Sequence, residues 1–146
     1  MNLTPNMRIL LVAILEEMRR LEAVGDRPPP GTNWDLWRDL WRQRREYEEF
    51  GVPHNLARWL GHAPTPSESA VFSRALRNME MMGLVVRVSR WDSARATHIQ
   101  LTDMGRAEAE RLVAEQDAAM AALLKDLGPL AQALGQAPSE GPQEGR

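Results

Sequence analysis

The chain has 146 residues, with 20 Asp and Glu against 18 Lys and Arg, three His, five Trp and no Cys. That length suits one domain, able to bury roughly two-thirds of its unfolded surface without a metal or disulfide staple. The missing cysteines exclude disulfides, zinc ribbons and thiol nucleophiles; with no charged-then-apolar leader and no run near the roughly 20 residues of a membrane span, a reducing, cytoplasmic setting without membrane contact is expected.

The formal net charge of −2 hides a gradient. Residues 1–57 sum to −1, residues 58–106 to +3 and residues 107–146 to −4. Arg supplies 17 of the 18 basic residues, a bias that a GC-rich genome produces. Arg is also the better bidentate reader of phosphate and guanine.

Residues 3–24 predict an amphipathic helix, with Met7, Leu11, Ile14, Met18 and Leu21 at steps of four and three, widened by Leu10 and Leu15. Thr4-Pro5 opens it as cap and first helical position, and Gly25 closes it. Pro28-Pro29-Pro30 then forces a stiff connector. Thr32 or Asn33 caps a second helix over Trp34 to Phe50, closed by Gly51 and Pro53. A short helix follows over Asn55 to Leu60.

Thr65-Pro66-Ser67-Glu68 is the clearest helix start in the chain, a capping box with proline at the first position. This helix reaches Met82 and stops at Gly83. Leu84 to Ser89 and Ala96 to Leu101 read as two strands of a hairpin joined by the polar loop Arg90 to Arg95. A last helix runs from Thr102-Asp103 to Leu127, where Pro129 breaks it, and residues 135–146 predict a disordered tail.

The order helix, short helix, turn, helix, strand, loop, strand is that of a winged helix-turn-helix, whose second helix enters the major groove. On helix 65–82, Phe72, Ala75, Leu76 and Met79 share one side; Ser67, Ala70, Arg74 and Arg77 share the other, with Ser73 at its margin. Small residues permit close approach, hydroxyls reach phosphates, and Arg forks onto guanine. The N-terminus of that helix is a further expected phosphate contact. A lone helix with two outward Arg would read simply as a solvated face; the hairpin and the preceding helix tip the reading toward DNA. The fold class expected is mainly α with a small β-hairpin, a winged helix-turn-helix with N- and C-terminal dimerisation helices.

Asn55-Leu56-Ala57-Arg58-Trp59-Leu60-Gly61, then Phe72 to Val85, then Arg95 to Gly105 resemble winged-helix repressors of the MarR type, in which LAxxLG, SRALRxLExxGLV and RAxxxxLTxxG segments recur in this order. The resemblance covers about residues 54–112, with residues 25–53 standing as a proline hinge and Trp-rich helix inserted ahead of the helix-turn-helix. It implies a homodimeric transcriptional regulator of the repressor type, with Arg95 on the wing reaching the minor groove or backbone and the terminal helices pairing. No effector pocket is carried over, and no cofactor is expected.

The candidate DNA contacts are Arg58, Ser67, Ser73, Arg74, Arg77, Arg90 and Arg95, with the wing over residues 84–101. Homodimerisation is expected through helices 3–24 and 103–127, whose apolar stripes a single small domain would leave partly uncovered; two recognition helices would then sit about one helical turn, roughly 34 Å, apart on the duplex. The expected organisation is one domain over residues 1–134, divided at 3–24, 25–53, 54–102 and 103–127. Trp34, Trp37 and Trp41 form a stripe that reads first as core packing on the first helix, or else as a dimer contact or aromatic pocket. An alternative function follows from them: a winged-helix protein-interaction module using helix 34–50. Trp91 sits at the predicted loop tip. His54, His62 and His98 lack metal-ligand spacing, and no nucleophile elbow, HExxH or Gly-rich phosphate loop marks an enzyme.

Overall fold

The structure, a computed structural model, describes residues 2–90 and 94–144. In chain order its elements are α1 (Pro5–Glu22), α2 (Trp34–Phe50), β1 (Val52–Pro53), α3 (Leu56–Leu60), α4 (Pro66–Met81), β2 (Val85–Val88), β3 (His98–Leu101) and α5 (Asp103–Glu144). The chain is thus mainly helical with a small antiparallel sheet of three strands in the order β1-β3-β2. It divides into two compact units, Met1–Glu110 and Arg111–Arg146. No described helix is long and apolar enough to cross a membrane.

Local chemistry accounts for most of the helix starts. The Thr4 side chain accepts from the Met7 N–H ahead of Pro5, and Asn33 accepts from the Asp35 and Leu36 N–H groups. At α4 both halves of the capping box form: Glu68 N–H donates to Thr65 Oγ1 at 3.1 Å and Thr65 N–H to Glu68 Oε1 at 3.0 Å.

The core of the first unit is built on α1. Met7, Leu10, Leu11, Ile14, Leu15, Met18 and Leu21 are all buried, against α4, α2, α3 and β1. From α4 come Phe72, Ala75, Leu76 and Met79, the face the helical spacing selects. Val52, Leu84, Val85 and Ile99 close the core from the sheet and its approach. Each fully buried aliphatic side chain stabilises this core by about 1.5–3 kcal/mol. The α1 stripe is covered within the single chain, whereas the expectation from sequence is that a small domain leaves it partly uncovered.

The hairpin pairs Val85 with Leu101 and Val88 with His98. Sequence reading misses the third strand, β1, whose two residues pair with Ile99 and His98 and are too few to alternate visibly. Gly51, which leads into it, has φ +107°, and a Cβ there would lie 2.5 Å from the Ile99 carbonyl oxygen. Only glycine lets the end of α2 approach β3 this closely.

α2 is joined to α1 through polar groups. Arg44 Nη1 donates to the carbonyls of Leu21, Glu22 and Val24 at 3.1, 2.7 and 3.0 Å, satisfying the C-terminal end of α1. Tyr47 donates its hydroxyl to Glu22 Oε2 at 2.6 Å, and Arg106 at the start of α5 donates to both oxygens of the same carboxylate at 3.2 Å. Arg106 and then Tyr47 hold the Glu22 carboxyl below its ordinary range. Burial, reinforced by the hydrogen bond to Glu22, pushes the Tyr47 phenol up to about 12. The tryptophans do not form a core stripe: no residue of α2 is buried, and Trp34 is 54% exposed. Their rings meet one another instead, Trp34 tilted against Trp37 at 5.4 Å and Trp37 stacked on Trp41 at 6.0 Å.

α5 starts where Thr102 folds back on Leu84, the residue ahead of β2. Its N–H and hydroxyl both donate to the Leu84 carbonyl, and its Oγ1 accepts from the Gly105 N–H at 3.0 Å. A Cβ on Gly105 would stand 1.9 Å from the Leu84 oxygen, so the Leu-Thr-x-x-Gly segment is a close-approach device. The helix continues to Glu144, past the stop predicted at Pro129 and through most of the predicted tail. A proline removes one helical N–H and costs about 3 kcal/mol, but the flanking Leu and Ala residues favour helix on both sides. In the second unit Met120, Leu123, Leu127, Leu130 and Leu134 recur at steps of three and four and are 45–65% exposed.

Gly105→Ala is expected to destabilise the protein by about 3 kcal/mol in urea unfolding, since backbone must move to admit the methyl group. A glycine merely tolerated in a helix would gain up to about 1 kcal/mol from the same change, so the sign decides. Glu22→Gln should cost about 1 kcal/mol at neutral pH. Its carboxyl is depressed in the fold, so this stabilisation is present above the ordinary value of 4.5 and vanishes as pH falls through the lower folded value. Wild type and variant unfolding curves should therefore converge in acid.

Candidate nucleic-acid interface

α4 presents the predicted polar face to solvent. Ser67, Ala70, Ser73, Arg74 and Arg77 are all exposed, opposite the buried Phe72, Ala75, Leu76 and Met79. The side chains of Arg74 and Arg77 make no hydrogen bond or ion pair with any described residue. Val71 is 38% exposed and Met81 79% exposed, adding apolar surface to the same helix.

Between α4 and the hairpin lies an open cleft of about 660 Å³. Ser73, Arg77 and Glu80 line it from α4, Arg87 from β2, Ala94, Arg95 and Ala96 from the hairpin loop, and His54 from the residue after β1. Three guanidinium groups and one imidazole thus share a space with one carboxylate. That carboxylate, Glu80, accepts from Arg87 Nε at 3.1 Å and Nη2 at 2.9 Å, and the contact holds it below its ordinary range. His54 is exposed overall, and partial desolvation in the cleft, followed by the Arg87 charge, lowers its imidazole.

Of the seven residues predicted to touch DNA, the cleft gathers Ser73, Arg77 and Arg95, while Ser67 and Arg74 lie on the adjoining face of α4. Arg58 and Arg90 are held elsewhere by carboxylates. Arg58 Nε donates to Glu17 Oε1 at 2.8 Å, beside Arg20, which donates to both oxygens of Glu17. Burial alone would raise the Glu17 carboxyl, but Arg20 and Arg58 outweigh it and bring it below its ordinary range.

Arg90 belongs to a clamp at the base of the hairpin. Its Nη1 donates to Glu46 Oε1 at 3.3 Å, and its backbone N–H donates to Thr97 Oγ1 at 2.9 Å. His98, 2% exposed, reaches the same Glu46 oxygen through Nε2 at 2.7 Å and Thr97 Oγ1 through Nδ1 at 2.7 Å. With Nε2 donating to Glu46, Nδ1 accepts from the Thr97 hydroxyl, so both ring nitrogens of His98 are used. Both ends of the loop are thereby tied to α2.

The expected phosphate site at the N-terminus of α4 does not survive in that form. The Glu68 carboxylate, held low by the Thr65 backbone and then by His62, already occupies the helix start and would repel an anion. Sequence reading misses His54 and Arg87. Arg87 is the single charged residue of β2, and charge is the available signal for an exposed position in an otherwise all-valine strand; His54 reads in the sequence only as a metal-ligand candidate. Among the described residues no cluster of His, Asp and Glu could hold a metal ion. Trp91, at the predicted loop tip, lies outside the described residues. Comparisons with protein-family models, with curated proteins and with solved structures give no match.

Proposed function

We propose that this protein binds double-stranded DNA as a homodimeric winged-helix transcriptional regulator, a repressor of MarR type, and is not an enzyme. The observation that carries this reading is the pairing of uncommitted arginines on α4 with the arginine-lined cleft beside the hairpin. Arg74 and Arg77 have no carboxylate to leave, so a phosphate or guanine edge meets them without an ion pair being broken. α4 enters the major groove, Ser67 and Ser73 reach phosphates, and Arg95 on the wing takes the backbone or minor groove. Arg58 and Arg90 support this surface by bracing α3 and the hairpin. The acidic charge of α5 disfavours phosphate contact, and its exposed Met120-to-Leu134 stripe pairs with the same stripe of a second copy.

The exposure of Trp34 and of Leu36, 58% accessible, favours a second reading, a protein-interaction module built on α2. The two readings differ in salt dependence. Phosphate binding releases counterions and must weaken steeply with salt, whereas an aromatic interface does not.

Arg74→Ala/Arg77→Ala should weaken binding to a mixed-sequence duplex and shrink the salt slope by up to about two units; a base-reading Arg adds about 1–3 kcal/mol on the selected site. Equal affinity and equal slope in wild type and double variant, in fluorescence anisotropy at matched salt, would falsify the interface. For the dimer, light scattering should give twice the 16.5 kDa chain mass, and Leu127→Glu should return it to one. A monomeric wild type removes the α5 pairing.

A further inference from the structure

His54 has a placement that the contacts proposed above do not use. Its backbone N–H donates to the Thr97 carbonyl at 3.0 Å, fixing it against the strand that leaves the hairpin loop. Its ring meets Trp59 edge to face with centroids 5.4 Å apart. The ring nitrogens make no hydrogen bond with any described residue. Among the described residues, the charged side chains lining the same cleft are Arg77 and Glu80 from α4, Arg87 from β2 and Arg95 from the hairpin loop; Trp59 of α3, which packs on the ring, is uncharged.

Arg87 opposes a further positive charge on His54, and Glu80 is already paired with Arg87. An entering phosphate reverses the local field. It supplies negative charge to Arg77 and Arg95 and oxygen acceptors to the imidazole. Once protonated, both ring nitrogens donate, so a neutral bystander becomes a charge-assisted ligand.

We propose that this cleft is a phosphate seat at which His54 takes up a proton as the phosphate enters, and, resting on the DNA-binding reading, that the phosphate is a backbone phosphodiester of the duplex. Binding is then proton-coupled, each occupied cleft taking up a proton within the window bounded by the His54 midpoints of the free and bound states. The free midpoint lies below the ordinary 6.5, because desolvation and Arg87 lower it.

The test follows the His54 ring signals by NMR across about pH 5 to pH 8 in the full chain, alone, with a mixed-sequence duplex at low salt, and with inorganic phosphate. Duplex is expected to raise the midpoint by about one unit or more. In parallel, wild-type duplex affinity should strengthen as pH falls through the window, by up to about tenfold per pH unit for each cleft occupied. His54→Gln flattens that dependence, while His62→Gln, outside the cleft, keeps it. A midpoint unmoved by either anion, with duplex still bound, overturns the phosphate seat and leaves the DNA reading intact. A midpoint raised by inorganic phosphate in a protein that binds no duplex upholds the seat, makes free phosphate its source and overturns the DNA reading. Neither duplex binding nor any phosphate-induced shift overturns both.

Discussion

The complete dehydration of one stripe on α1 is the constraint around which the first unit is organised. Leu10, Leu11, Ile14, Leu15 and Leu21 are each 0% exposed, and no single neighbour covers them. α4, α2, α3 and β1 each take a share. Removing an aliphatic side chain from such a site costs several kcal/mol, because the surrounding elements cannot collapse together to refill the space. The orientation of α4 follows from this. Its Phe72, Ala75, Leu76 and Met79 turn inward, which obliges Arg74 and Arg77 to face solvent. The proposed reading surface is thus the reverse side of a packing solution.

Around that core, carboxylates sort the arginines into different jobs. Glu17 holds Arg20 and Arg58, Glu22 holds Arg106, Glu46 holds Arg90 and Glu80 holds Arg87. These pairs are partly solvated, so each contributes modestly to stability. Their larger effect is to fix where positive charge remains available. Near-neutral net charge and local positive potential are compatible because neutralisation is uneven in space.

Features decided by a few neighbouring residues were legible in the sequence. The Thr4, Asn33 and Thr65 caps, the seven-residue stripe of α1 and the two faces of α4 depend only on spacing within one helix. Features that depend on a distant partner were not. Arg44 reads as one more charge on a mixed face until the three carbonyls of α1 stand within its reach. β1 exists only because β3 lies beside it. The Trp stripe shows the converse error: its periodicity is right for burial, yet α2 attaches through Arg44 and Tyr47 and leaves Trp34 in solvent. In the candidate site, Ser73, Arg77 and Arg95 could be found from helix phase and strand order, whereas His54 and Arg87 enter it only through the fold.

The three-stranded sheet has two outer strands, and each is poorly suited to accept another. β1 offers two residues, one of them Pro53, which has no N–H to donate. β2 offers four, carrying the charged Arg87 in the middle. Short strands, proline and charge are the devices by which sheet margins resist growth by strand addition. Recruitment of a second chain by extending this sheet is therefore disfavoured at both margins. Association is left to helical surfaces, which hold their backbone hydrogen bonds internally and recognise partners through side chains alone.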